Sequence, residues 1–226
     1  MSAAASHPRP KAGYHHGDLR ESLLVAAEIL LREEGLAGLT LRACARRAGV
    51  SHAAPKHHFA DLSDLLSEVA ARSFDRLTAA LKAARADIGD DPDERFIAIT
   101  RTYVEFARDQ PDHFRLMFRS DVLNHCNAAL RAASARTYAE MIDGVTAQRG
   151  EPDVEPEELQ DRIKDEGLME DILIGWSFVH GYAQLLLEGQ LAVFAREESL
   201  EDFLARSLAA SGKRLGRLLR AQESKP

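Results

Sequence analysis

The sequence predicts an all-α protein, with a small N-terminal three-helix domain followed by a larger C-terminal helical bundle. Three observations carry this prediction. Apolar residues recur at three- and four-residue spacing through every long segment, and no stretch keeps the strict alternation of a half-buried strand. Hydroxyl or acidic residues stand just ahead of several of these stripes, where a helix needs a side-chain acceptor for its first free N–H groups. Gly and Pro fall between the stripes, where helices stop and start. The chain has 226 residues, of which 45% are hydrophobic and 29% charged. That is ordinary for a globular protein and enough for one or two cores.

The elements follow in order. Residues 1–16 are expected to form a flexible, weakly basic arm. They contain no apolar run of the kind a signal peptide carries. Asp18 and Glu21 resemble a capping box, and Leu19, Leu23, Ala27 and Leu30 make a helical stripe up to Gly35. Thr40 is placed to cap a second helix whose small apolar face is Leu41, Cys44, Ala45 and Ala48. Gly49 supplies a turn, Val50 buries beneath it, and Ser51 is expected to cap a third helix over 52–58. A long helix then starts at Asp61 or Ser63 and ends before Gly89. Asp91-Pro92-Asp93-Glu94 is a strong start for the next, with an acidic cap and Pro in the first helical position. Pro111 opens a short helix, and a further one spans about Leu123 to Gln148. An acidic loop from Gly150 leads to a helix from about Glu157 to Glu188, with a break near Gly167. The last helix begins at the Ser199-Leu200-Glu201-Asp202 box and runs to about Ala221.

The stretch from Thr40 to Phe59 is the most telling. It reads as two short helices joined by a tight turn, a helix-turn-helix. The second helix offers His52, His57, His58, Lys56 and small alanines on its outer face. Small residues permit close approach to a surface, and basic ones suit a phosphate-lined groove. The same corner occurs in many all-helical proteins, and three histidines also suit a plain solvated face, so spacing alone leaves both readings open. Charge distribution favours the nucleic-acid reading. Residues 1–60 hold 8 Lys/Arg against 5 Asp/Glu, whereas the remainder holds 21 against 31, for a net charge of −7. Six of the nine histidines also lie in 1–60. A mildly basic head on an acidic body directs DNA to the head.

Catalytic and metal motifs are poorly represented. There is no HExxH, CxxC, Gly-rich phosphate loop or nucleophile elbow. No metal or cofactor is expected. Cys44 and Cys126 fall in different segments and read as small core residues of a reduced cytoplasmic protein. No apolar run reaches membrane-spanning length.

Residues 18–66 resemble the DNA-binding domain of the TetR family of bacterial transcriptional regulators. Leu39-Thr40-Leu41-Arg42, Ala48-Gly49-Val50-Ser51, His58-Phe59 and Leu65-Leu66 carry the resemblance. The leader from Tyr14 to Arg20, the triplet Ala53-Ala54-Pro55 and the stretch from Trp176 to Gly181 resemble one branch of that family, whose C-terminal domain is named for a Trp-His-Gly signature. The two signatures lie over 100 residues apart. The resemblance implies residues 17–60 as the DNA-binding domain and 61–226 as a ligand-binding and dimerisation domain. It implies a regulator, not an enzyme, that binds a near-palindromic double-stranded operator as a homodimer. It further implies a ligand-responsive repressor, released by a small hydrophobic effector. The expected DNA contacts are Thr40, Arg42, Ser51, His52, Ala53, Lys56, His57 and His58; Arg46 and Arg47 are weaker candidates. Lys56 stands where the family usually has a tyrosine and Leu62 where it usually has a lysine. Those departures keep a second reading open, that of an interaction module without DNA binding. A third, a helical-bundle enzyme using an apolar cavity, would need an essential polar residue such as His180.

The resemblance implies a small-molecule pocket in the C-terminal domain and dimerisation through the last two long helices of that domain, which here hold Trp176, Phe178, Tyr182, Leu185, Phe203, Leu208 and Leu215. That is more apolar surface than one helix pair buries. The expected pocket residues are Phe96, Tyr103, Phe106, Phe114, Met117, Phe118, Tyr138, Met141, Trp176 and His180. Aromatic residues and Met at helical spacing also read as plain core. His180, a polar ring in an apolar helix, needs a partner, either from the protein or from the ligand.

Overall fold

The computed structural model describes residues 16–86 and 88–222, with the side chains of 19–86 and 88–220. Their regular structure is entirely helical, without a strand among the described residues. They divide into two compact units that meet between Leu62 and Ser63. The expected arm lies outside the described residues except for its last member, His16, which begins the first helix.

The first unit is the head. Helix α1 (His16–Glu34) puts Leu23, Leu24, Ala27, Leu30 and Leu31 into its core. Asp18 lies inside α1 and not ahead of it. Helix α2 (Leu41–Arg47) packs on α1, with Cys44 and Ala45 buried. The Thr40 hydroxyl accepts the Ala43 N–H at 3.0 Å, which satisfies one free donor at the α2 start. Gly49 closes α2 at φ 71°, where a side chain would strain the backbone. The Val50 N–H reaches back to the Ala45 carbonyl at 2.9 Å and the Gly49 N–H to Arg46 at 3.2 Å, a Schellman closure.

The segment after the turn differs from expectation. Residues 52–58 do not form an α-helix; Ala54–His57 is a single 3₁₀ turn. The Ala54, Lys56 and His58 N–H groups bond three residues back, to Ser51, Ala53 and Pro55. Pro55 explains this. It has no N–H for a carbonyl four residues back, and it biases Ala54 away from the α region. Ser51 therefore contributes its carbonyl here, in place of the expected side-chain cap. Pro55 and Phe59 are buried in the head, and the Arg20 guanidinium lies over the Phe59 ring at 5.4 Å.

The second unit is the body. Its helices are α3 (Leu62–Ala86), α4 (Pro92–Asp109), α5 (Pro111–Met117), α6 (Ala128–Gln148), α7 (Leu159–Arg162), α8 (Glu166–Leu187), α9 (Ala192–Ala195) and α10 (Leu200–Gln222). Helix α4 is central and packs against α6, α8 and α10. Asp91 caps α4 by accepting the Asp93 and Glu94 N–H groups. Asn127 caps α6 at Leu130, so α6 starts five residues later than the Leu123 expected. Asn124 also takes the Cys126 N–H, holding a local turn in place of helix. Cys126 is exposed in that turn, contrary to the expected core position, while Cys44 is buried and its thiol pushed up to about 11 by burial. The break expected near Gly167 falls just ahead of it, where Asp165 caps α8 by accepting the Leu168 N–H at 2.7 Å. At the α10 start the Ser199 hydroxyl accepts the Asp202 N–H at 3.1 Å, as expected of the cap, and donates to the Asp202 carboxylate at 2.7 Å. Helix α9 has no counterpart in the expected element order.

Candidate nucleic-acid interface and candidate ligand cavity

The Schellman turn at Gly49 and the 3₁₀ turn after it place one set of side chains outward. Arg42, Ser51, His52, Ala53, Lys56 and His57 are exposed, and His58 is half-buried. Thr40, Leu41, Arg42, His52, Ala53, Lys56 and Leu62 surround a shallow concavity. The structure thus gathers Thr40, Arg42, His52, Ala53 and Lys56 on one surface. Ser51, His57 and His58 are not among the residues around that hollow. Arg46 and Arg47 separate as well. Arg47 holds Glu33 of α1 through two contacts of 2.6 and 3.0 Å, and its guanidinium keeps the Glu33 carboxyl below the ordinary carboxylate range. Arg47 thereby ties α2 to α1, while Arg46 stays exposed one turn beyond Arg42. The pattern of cations around a small-residue surface suits phosphate oxygens with base edges beneath them.

The body holds an apolar cavity of about 380 Å³. Its walls come from α4 (Phe96, Ile99, Thr100), α6 (Tyr138, Met141, Ile142, Val145), α7 with the next turn (Leu159, Gln160, Ile163) and α8 (Met169, Ile172, Leu173, Gly175, Trp176, Val179). Gly175 allows this spacing, since a Cβ there would stand 3.3 Å from the Val145 side chain. Of the ten residues expected to line a pocket, Phe96, Tyr138, Met141 and Trp176 do so. Tyr103, Phe106, Phe114, Met117, Phe118 and His180 do not.

Those residues sit elsewhere for a clear reason. Tyr103, Phe114, Phe118 and His180 form their own cluster: Phe114 lies 5.3 Å from Tyr103 and 5.1 Å from Phe118, and His180 stacks on Phe114 at 5.6 Å. The His180 Nδ1 pairs with the Tyr103 hydroxyl at 2.8 Å, and Nε2 lies 3.3 Å from the Gln184 amide. Burial lowers the His180 pKa, so the ring is held neutral, and burial raises that of Tyr103. The imidazole therefore has its partners within the protein. Phe106 and Met117 are also buried.

Sequence reasoning missed the remaining wall residues, among them Ile99, Ile163, Met169, Ile172 and Leu173. Aromatic side chains drew attention, whereas most of the wall is aliphatic. The phase of the α8 stripe was the usable signal, because Met169, Ile172, Leu173, Trp176 and Val179 recur at three- and four-residue steps.

The residues expected at a dimer contact also divide. Leu185 is exposed, and Phe178, Tyr182 and Phe203 are half-buried. Tyr182 bonds Ser207 across α8 and α10. Leu208 is buried within the protomer, Leu215 packs on the cluster of Phe96, Val145, Leu168 and Leu219, and Trp176 faces the cavity. Leu200 and Leu218 of α10 are exposed instead.

A separate charged groove flanks the other side of α6. Arg85 reaches Asp143 at 2.8 Å and Asp153 at 3.0 Å, and Arg95 reaches Asp153 at 3.2 Å. Burial pushes the Asp143 carboxyl up to about 7, while Asp153 is held below the ordinary range by its contact with Asp143. Among the described residues, no three His, Cys, Asp or Glu side chains are arranged to hold a metal ion, and no helix is long and apolar enough to cross a membrane.

Comparison with known proteins accords with this arrangement. Residues 23–69 match the family "Bacterial regulatory proteins, tetR family", and residues 96–210 match "Tetracyclin repressor-like, C-terminal domain". The chain is 30% identical to the HTH-type transcriptional regulator BetI of Stenotrophomonas maltophilia (strain R551-3), over 56% of this chain and 78% of that one. A solved structure of a protein with unknown function from Rhodococcus sp. RHA1 superposes with a TM-score of 0.68 at 29% identity, covering 92% of this chain and 98% of that one.

Proposed function

The chain belongs to the TetR family of bacterial regulatory proteins, and from that premise we propose that it is a ligand-responsive repressor. It binds a near-palindromic operator as a homodimer and leaves it when a small hydrophobic effector enters the body. The observation that carries this reading is the exposed surface of Arg42, His52, Ala53 and Lys56 around the hollow beside Gly49. Lys56 and Arg42 hold phosphates, Thr40, Ser51, His57 and His58 flank them, and His52 and Ala53 reach base edges. The methyl of Ala53 suits a thymine methyl. Each protomer reads one half-site, and the exposed faces of α8 and α10, with Leu185, Leu200 and Leu218, supply the contact between copies. Operator-bound protein obstructs polymerase. Effector and operator compete through a coupling free energy of roughly 1–3 kcal/mol, as in typical allosteric proteins. The protein acts in the cytoplasm, where the operator is.

The test is selection of bound sequences from a random duplex pool by the purified chain at two salt concentrations. A near-palindromic consensus, bound more weakly at the higher salt, is the expected result. Recovery of no consensus and no salt-sensitive binding would overturn the reading.

A further inference from the structure

The walls of the body cavity contain no Asp, Glu, Lys, Arg or His. The polar groups among them belong to Thr100, Tyr138, Gln160 and Trp176, all uncharged. The Thr100 hydroxyl is already committed to the Phe96 carbonyl at 2.8 Å. The charged residues of α6 do not compensate. Arg136, Glu140 and Asp143 face the separate groove, where Arg85 holds Asp143, and Arg131 stands outside the cavity wall, on an adjoining hollow that shares Tyr138, Leu159 and Gln160 with it. An ion entering the cavity would lose its water and meet no counter-charge, and such burial strongly favours the neutral form. The volume of about 380 Å³ is within the range of small-molecule sites.

We propose that this cavity takes an uncharged, hydrocarbon-rich molecule with one or two neutral hydrogen-bonding groups, and rejects the ionised form of the same skeleton. The inference rests on the reading of the cavity as the effector site. It narrows that effector to alcohols, ketones, esters and hydrocarbons, and it excludes carboxylates, phosphates and quaternary amines.

Trp176 is the single tryptophan of the chain and forms part of the cavity wall, so its emission reports occupancy directly. The experiment titrates the full chain with 1-decanol and with decanoic acid between pH 5 and pH 8. Decanol is expected to change the emission saturably, with an affinity that stays flat across the range. The acid is expected to weaken by about tenfold per pH unit above its own ionisation, because only its neutral form enters. Equal affinity of carboxylate and alcohol at pH 8 would overturn the proposal, as would no saturable change with either probe. Leu173→Arg provides a converse arm. Leu173 is 46% exposed at the cavity rim, so a long cationic side chain fits there without disturbing the core. The variant is expected to gain at least about tenfold in decanoate affinity at pH 8. No gain would mean that the missing counter-charge is not what rejects the acid. A chain that binds decanol but selects no duplex would sink the regulatory reading and leave this one standing. A chain that selects a duplex but binds neither probe would do the reverse.

Discussion

Head and body solve opposite problems with the same helical material. The head exposes its candidate contact residues. Arg42, His52, Ala53 and Lys56 point outward, and the core beneath them is built from leucines, alanines, Cys44 and Phe59. The body turns its candidate ligand-facing residues onto a cavity between helices. Its cavity walls are apolar, and its most distinctive polar residue, His180, is held by Tyr103 and Gln184 inside a ring cluster. A surface that reads a charged polymer needs cations and close approach. A cavity that holds a small molecule needs spacing between helices that pack tightly everywhere else. The first requirement is local in sequence, and the second is spread over α4, α6, α7 and α8.

This contrast can be broken most forcefully in the body. Phe114 is fully buried against Tyr103, Phe118 and His180. Phe114→Ala should cost about 3–5 kcal/mol of body stability. Denaturant unfolding followed through Trp176 emission would show it as a lower midpoint; an unchanged midpoint would mean that the ring cluster is not a structural keystone.

The second effect depends on pH. Burial raises the folded-state pKa of Asp143 to about 7, so its contribution is full below the ordinary carboxylate value and is lost as pH rises through about 7. His180 has the opposite sign. Its lowered pKa makes its contribution complete above the ordinary histidine value, and that contribution falls away as pH drops through the folded value. Asp143→Asn mimics the protonated acid and should remove the loss between pH 5 and pH 7. Denaturation midpoints of both proteins at the two pH values would test this, and parallel curves would refute it.

Smaller effects belong to the head. Gly49→Ala forces a side chain into φ 71° and should cost about 1 kcal/mol. Amide exchange at Val50, whose N–H closes the turn onto Ala45, is the sensitive measurement. Faster exchange is expected there, with the Trp176 unfolding midpoint unmoved. Lys56→Ala should leave stability alone and weaken DNA binding across sequences, with the salt slope reduced by about one unit. A slope equal to that of the parent chain would remove Lys56 from the phosphate contacts.

Much of the fold was legible from caps and stripes. Thr40, Asp91 and Ser199 each act within three residues of the N–H they satisfy, so sequence spacing is enough to find them. Asp165 and Asn127 act by the same chemistry, but an apolar residue such as Leu123 ahead of the stripe extends the helical pattern on paper beyond the true cap. Pro55 was also in view. Its missing N–H turns the expected α-helix over 52–58 into a 3₁₀ turn, a local effect outweighed on paper by the pattern of outward basic residues.

The candidate sites divide along the same line. The head surface was partly legible: Thr40, Arg42, His52, Ala53 and Lys56 lie within one motif and gather around one hollow, whereas Ser51, His57 and His58 fall outside it. The cavity was also only partly so. Tyr103 and Met141 are equally plausible on paper, yet one packs into the His180 cluster and the other lines the cavity. Leu185 and Leu208 are equally apolar, yet one is exposed and the other buried beneath the protomer's own helices. By itself the sequence determined the all-helical class, the helix-turn-helix and the basic head, because hydrogen bonding, turn chemistry and net charge are properties of neighbouring residues. Only the tertiary structure decided which aromatic residues fill space and which enclose it, because that depends on how far apart helices from distant parts of the chain come to rest.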